Sequence, residues 1–117
     1  MTTEDDFQQV LDANPEDRQT YLVFADWLQE RGDERAEGYR ALGVMRRFPL
    51  VVAGRAVYLC ELPGARYSEC VNLPEDWYTL VGTWRWCASR READDVAALA
   101  FSELPESRRA GLLATRS

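Results

Sequence analysis

Apolar residues recur at helical spacing up to Met45 and change to strand-like runs after Pro49. A first helix is predicted to open at Thr3, with Asp6 as an acidic capping-box partner and Phe7, Val10 and Leu11 at i, i+3 and i+4. Asn14 offers the next N-cap, Pro15 suits the first helical position, and Glu16 and Asp17 lie where the helix dipole favours acids. A second helix is therefore expected over Pro15–Arg31, stopped by Gly32 in a left-handed conformation. Tyr21, Phe24, Ala25 and Leu28 share one face of it, while Val23 and Trp27 lie well off that face, near Asp26 and Glu30. A helix apolar on two sides needs cover on two sides. Trp27 is expected to be covered within the helical module, with Arg31 one turn on stacking over its indole. Were the indole open instead, Val23, Trp27 and Arg31 would be the candidate partner-binding residues.

Asp33 can cap a third helix over Glu34–Arg47, weakened by Gly38 and Gly43 and ended by Pro49. The stretches Leu50–Ala53, Arg55–Leu62, Arg66–Leu73 and Trp77–Cys87 then read as strands, with turns at Ala53-Gly54, Pro63-Gly64 and Pro74-Glu75-Asp76. A two-residue Pro63-Gly64 hairpin would set Cys60 against Tyr67 and not against Cys70. Tyr78, Leu80, Trp84 and Trp86 fall on one side of the last strand and read as a buried aromatic sheet face. Ser89 and Glu92 form a capping box for a final helix. Its apolar stripe, Ala93, Val96, Ala97, Ala100 and Leu104, is expected to dock on that sheet, with Asp94 and Asp95 on the solvated side and a short turn after Pro105. The order gives an α+β fold in one domain of 117 residues. It comprises a helical module of about three helices over 1–48, a small antiparallel sheet of three to four strands over 49–88, and a C-terminal amphipathic helix and tail over 89–117.

Charge changes this picture in one respect. The net charge is −6, but residues 1–37 carry 11 acids and 3 Arg, whereas residues 38–117 carry 9 acids and 11 Arg. An acidic chain is repelled by phosphate backbones, so nucleic acid is not expected as a partner, while a protein partner is. The acidic start lacks the apolar core of a signal peptide, and no run of about 18 apolar residues could span a bilayer. Three cysteines without an export signal read as reduced thiols of a cytoplasmic protein.

Candidate chemistry is sparse. His is absent and every basic residue is Arg, which excludes imidazole bases, His-ligated zinc and lysine chemistry. Cys60, Cys70 and Cys87 have no Cys-x-x-Cys spacing, so no metal site is assigned to them. The paired acids lie at helix starts or polar faces, and no phosphate loop or dinucleotide fingerprint occurs. No catalytic residue and no cofactor are expected.

The segment Asn14-Pro15-Glu16-Asp17 with Leu22-Val23-Phe24-Ala25-Asp26-Trp27-Leu28-Gln29-Glu30-Arg31-Gly32-Asp33 resembles the bacterial repeat-companion domain family. That family carries Leu-Val-Tyr-Ala-Asp-Trp-Leu-Glu-Glu-Arg-Gly-Asp after an Asn-Pro-Asp-like turn. The resemblance spans about Thr2 to Leu42, and departs from the pattern at Phe24, Glu34 and Gly38. It implies a helical N-terminal module without known catalytic residues, in a family of undefined role. The residues and the resemblance together point to a non-enzymatic protein-interaction module. The alternative is a small acidic inhibitor or immunity-type protein that neutralises a basic target, and a carboxylate- or thiol-based enzyme stands behind both.

Overall fold

A computed structural model describes residues 2–14, 16–45, 50–52, 55–59, 74–81, 85–87 and 89–114. In chain order it contains α1 (Glu4–Ala13), α2 (Arg18–Glu30), α3 (Ala36–Met45), β1 (Leu50–Val52), β2 (Arg55–Leu59), α4 (Glu75–Val81), β3 (Arg85–Cys87), α5 (Arg90–Phe101) and α6 (Glu106–Leu113).

The fold is helical, which overturns the α+β expectation. Over residues 2–14, 16–45 and 89–114 the chain is 77% helix in five helices and contains no strand. The strands are short and lie outside that body. They form an antiparallel sheet of order β1-β2-β3, with Val51 opposite Ala56 and Val57 opposite Trp86, and an irregularity between Val57 and Leu59. The predicted strand Trp77–Cys87 fails in its first half, where α4 forms. Pro74 followed by Glu75 and Asp76 is a helix start as well as a turn, because acids in the first turn meet the helix dipole. Trp77 and Val81, one turn apart, are buried there, and Leu80 is exposed. Within 49–88 the described residues form three short strands with the helix α4 between β2 and β3. The predicted strand Arg66–Leu73 and the Pro63-Gly64 hairpin, with its Cys60 and Cys70 register, lie outside the described residues.

Local signals explain most helix ends. Thr3 and Asp6 close the capping box at α1. Asn14 ends α1 and does not open α2: its N–H donates to the Val10 carbonyl, and its Oδ1 accepts from the Glu16 N–H. Asp17 is the N-cap of α2, accepting from the Thr20 N–H at 3.1 Å and the Thr20 hydroxyl at 2.8 Å, so the helix starts three residues later than expected. At the far end Gly32 has φ 69°. The Asp33 N–H donates to Leu28 O and the Gly32 N–H to Gln29 O, a Schellman motif that only glycine enters without strain.

The core joins Tyr21, Phe24, Ala25 and Leu28 of α2 to Tyr39, Ala41 and Leu42 of α3, Leu11 of α1, and Ala93, Ala97, Ala98 and Phe101 of α5. The C-terminal helix is not held by a sheet alone: α5 packs along α3 and also meets α4, β2, α1 and β3. Gly38 permits the α3–α5 approach, since a Cβ there would stand 2.3 Å from Ala98 Cα. Trp77 joins α4 to this helix, donating Nε1–H to Ala97 O at 2.8 Å and meeting Phe101 edge-on at 4.9 Å between centroids. The tail after Pro105 is more than a turn: α6 is a two-turn helix that packs on α3 and buries Leu112. Among the described residues no helix is long and apolar enough to cross a membrane.

Candidate functional site

Two constellations carry polar or exposed aromatic chemistry. One is a buried network between α1, α2, α3 and α5; the other is the outer face of α1 and α2.

The buried network has two branches. In the first, the Tyr21 hydroxyl donates to Asp94 Oδ2 at 2.6 Å, and Arg90, one turn before Asp94, donates to the same oxygen. Arg90 also donates to the Gln8 side-chain oxygen, and through Nε to Asp12 at 3.0 Å. In the second, the Tyr39 hydroxyl donates to Asp95 at 2.6 Å and accepts from Gln8 Nε2 at 3.2 Å. Arg35 donates to Asp95, Asp33 and Glu4 at 2.8–3.0 Å. Asp94 is fully buried and Arg90 nearly so, in contrast to the solvated face expected for the Asp94-Asp95 pair. The predicted stripe on α5 was too narrow. The buried arc also takes in Ala98 and Phe101, and Arg90 and Asp94 fall inside it at i, i+4. That spacing is the one sequence signal that could have found them.

Burial and charge shift the ionisable groups of this network. Burial first, and then Asp94, push the Tyr21 hydroxyl far above its ordinary range. Burial, Asp94 and Asp95 do the same to Tyr39, so both remain protonated donors. The Arg35 hydrogen bonds hold the Glu4 and Asp33 carboxyls below their ordinary values of 4.5 and 3.8. A carboxyl lowered in the folded state stabilises fully above its unfolded value, and the benefit is lost as pH falls through the folded one. A tyrosine raised in the folded state stabilises below about pH 10, and the benefit is lost above it. Stability measured by urea unfolding is therefore expected to be level between about pH 5 and 9 and to fall on both sides. Glu4→Gln should flatten the acid limb. A urea midpoint that rises on going from pH 6 to 3.5 would contradict the pairing.

The outer face holds the three residues singled out from the sequence. Trp27 is half-buried against the core, with its ring centroid 5.7 Å from Phe7 and 6.0 Å from Phe24. The Arg31 guanidinium lies 3.6 Å from the centre of the indole, and Nη1 donates to the Trp27 carbonyl at 3.2 Å. Val23 is 44% exposed and Val10 of α1 46%. Arg31 and Trp27 are thus in contact, and Val23 stands one turn away in solvent. Phe7 was not foreseen as the cover of Trp27; that cover comes from another helix, and only its apolar character was visible in the sequence. Trp27→Ala is expected to cost about 2–3 kcal/mol, less than a fully buried aromatic, and Val23→Ala less than about 0.5 kcal/mol. Thermal melts of both variants check this, and equal losses would contradict it.

A shallow open groove of about 450 Å³ lies beside the α2–α3 turn, lined by Gln29, Asp33, Glu34, Glu37, Arg40 and Leu113. Asp33 is already paired with Arg35, and Glu37 lies 3.7 Å from Arg109. Among the described residues no three His, Cys, Asp or Glu side chains are placed to hold one metal ion. No family model, no curated protein and no solved structure matches this chain.

Proposed function

We propose that the chain is a non-enzymatic protein-interaction module that contacts its partner through Val23, Trp27 and Arg31. The observation that carries this reading is the outer face of α1 and α2, where an Arg-capped, half-covered indole lies one turn from a valine 44% exposed. Tryptophan and arginine are the residues that most often dominate protein interfaces. The interior acids and tyrosines offer less to catalysis, because their hydrogen bonds are made to one another and Asp94 has no contact with solvent. The resemblance to repeat-companion domains, and a cytoplasmic location with reduced cysteines, belong to the same proposal.

The inhibitor reading loses ground on charge. Acids of the −8 segment are paired with arginines of the other segment, Glu4 and Asp5 with Arg91, and Asp12 with Arg90. This spends part of the field that a charge mimic would present to a basic target.

The test is affinity capture from the native cell with the wild-type chain, Val23→Asp and Arg31→Glu in parallel. Proteins held by the wild type and lost with both variants, at unchanged melting temperature, support the reading. A captured set that neither variant changes would exclude this face as the interface.

A further inference from the structure

We propose that α1 is a conformational latch: a helix clamped largely by charge, adding only Leu11 and Gln8 to the buried core, whose release uncovers Phe24 and Trp27. The proposal does not depend on which protein the outer face binds.

Its first support is the kind of contact α1 makes. Among its side chains only Gln8 and Leu11 are buried, with Phe7 stacked on Phe24 at 5.0 Å at the edge of the core. The rest of its attachment is ionic. Glu4 holds Arg35 at 3.0 Å and Arg91 at 3.1 Å, Asp5 holds Arg91 at 2.8 Å, and Asp12 holds Arg90 at 3.0 Å.

The second support is what remains when α1 is removed. Every core group that α1 touches through a polar bond has another partner outside α1. Arg35 keeps Asp33 and Asp95, Arg90 keeps Asp94, and Tyr39 keeps Asp95. Arg91 is 41% exposed and returns to water. Removing one member of a buried pair is costly because it strands the other. Release of α1 strands none. The same cannot be said of α5, whose Asp94 and Asp95 are acceptors for both buried tyrosines. A helix of ten residues is marginal alone in water, so release amounts to local unfolding of this segment.

The test is native-state amide hydrogen exchange on the full chain at neutral pH, read by NMR. The amides from Gln8 to Asn14 are expected to exchange at least about tenfold faster than those of Ala25–Leu28 and Ala97–Phe101. Glu4→Gln should speed the α1 amides together by about a further tenfold, the scale of one charge-assisted hydrogen bond, and leave the α2 and α5 amides within about twofold. Arg91→Gln, a milder change at an exposed residue, should act in the same direction and serves if Glu4→Gln does not fold. Acceleration confined to the first turn of α1 would mean fraying and overturn the latch. So would equal acceleration of α1, α2 and α5, which would mean that the three helices open as one unit.

Discussion

Gly38→Ala is expected to destabilise the protein by about 3 kcal/mol, although alanine is the better helix former by about 1 kcal/mol at an open position. The added Cβ would stand 2.3 Å from Ala98 Cα and 2.7 Å from both Ala98 Cβ and Ala98 O. Carbon atoms in contact prefer about 3.5–4.0 Å, so α3 and α5 would have to separate along their shared seam. Ala98→Gly should not rescue the variant, because two of the three obstructing atoms are backbone. Gly111 provides the control. A Cβ there meets nothing within 4 Å, and Gly111→Ala should raise stability by up to about 1 kcal/mol. Urea unfolding followed by circular dichroism measures all three variants. A Gly38→Ala midpoint at or above wild type would show that the two helices are not in this contact.

The second large effect is expected at Asp94. Its carboxylate accepts from the Tyr21 hydroxyl and faces Arg90, and both Asp94 and Tyr21 are fully buried. Asp94→Ala removes a buried anion opposite a buried cation, which costs about 3–5 kcal/mol. Asp94→Asn keeps an acceptor for Tyr21 but loses the charge, and should fall between the two. Replacing the cluster as a whole, with Tyr21→Phe, Arg90→Met and Asp94→Leu together, should recover most of the loss, since well-packed apolar groups replace a buried ion pair at little cost. Chemical denaturation of the single and triple variants decides the matter. A loss under about 1 kcal/mol for Asp94→Ala would mean that water reaches this pair.

The candidate site was legible in part, and the division follows the range of each interaction. Arg31 over Trp27 is an i, i+4 pair on one helix, so spacing alone placed it. Spacing put Val23 at an angle away from Tyr21, Phe24 and Leu28 but left open whether it would be covered; the structure leaves it exposed. Phe7 as the partner of Trp27 depends on how α1 lies across α2, and nothing in either segment states that. The charge asymmetry was visible as numbers. Its explanation was not, because Arg90 and Arg91 stand more than seventy residues from the acids they neutralise.

The sequence by itself determined where helices begin and end when a side chain close by decides it. Thr3 with Asp6, Gly32 and Ser89 each supply a bond or a backbone angle within a few residues, and these signals held. The strand read over Trp77–Cys87 went wrong at α4, because a seven-residue segment after Pro74 is too short for apolar periodicity to separate helix from strand. Only the tertiary structure decided the fold class, the closeness of α3 and α5, and the burial of Asp94. A carboxylate has the same character on a solvated face as in a core; what reverses its preference is a set of donors brought from other helices. The Tyr21 hydroxyl reaches Asp94 from a residue 73 positions away along the chain, and no local pattern carries that distance.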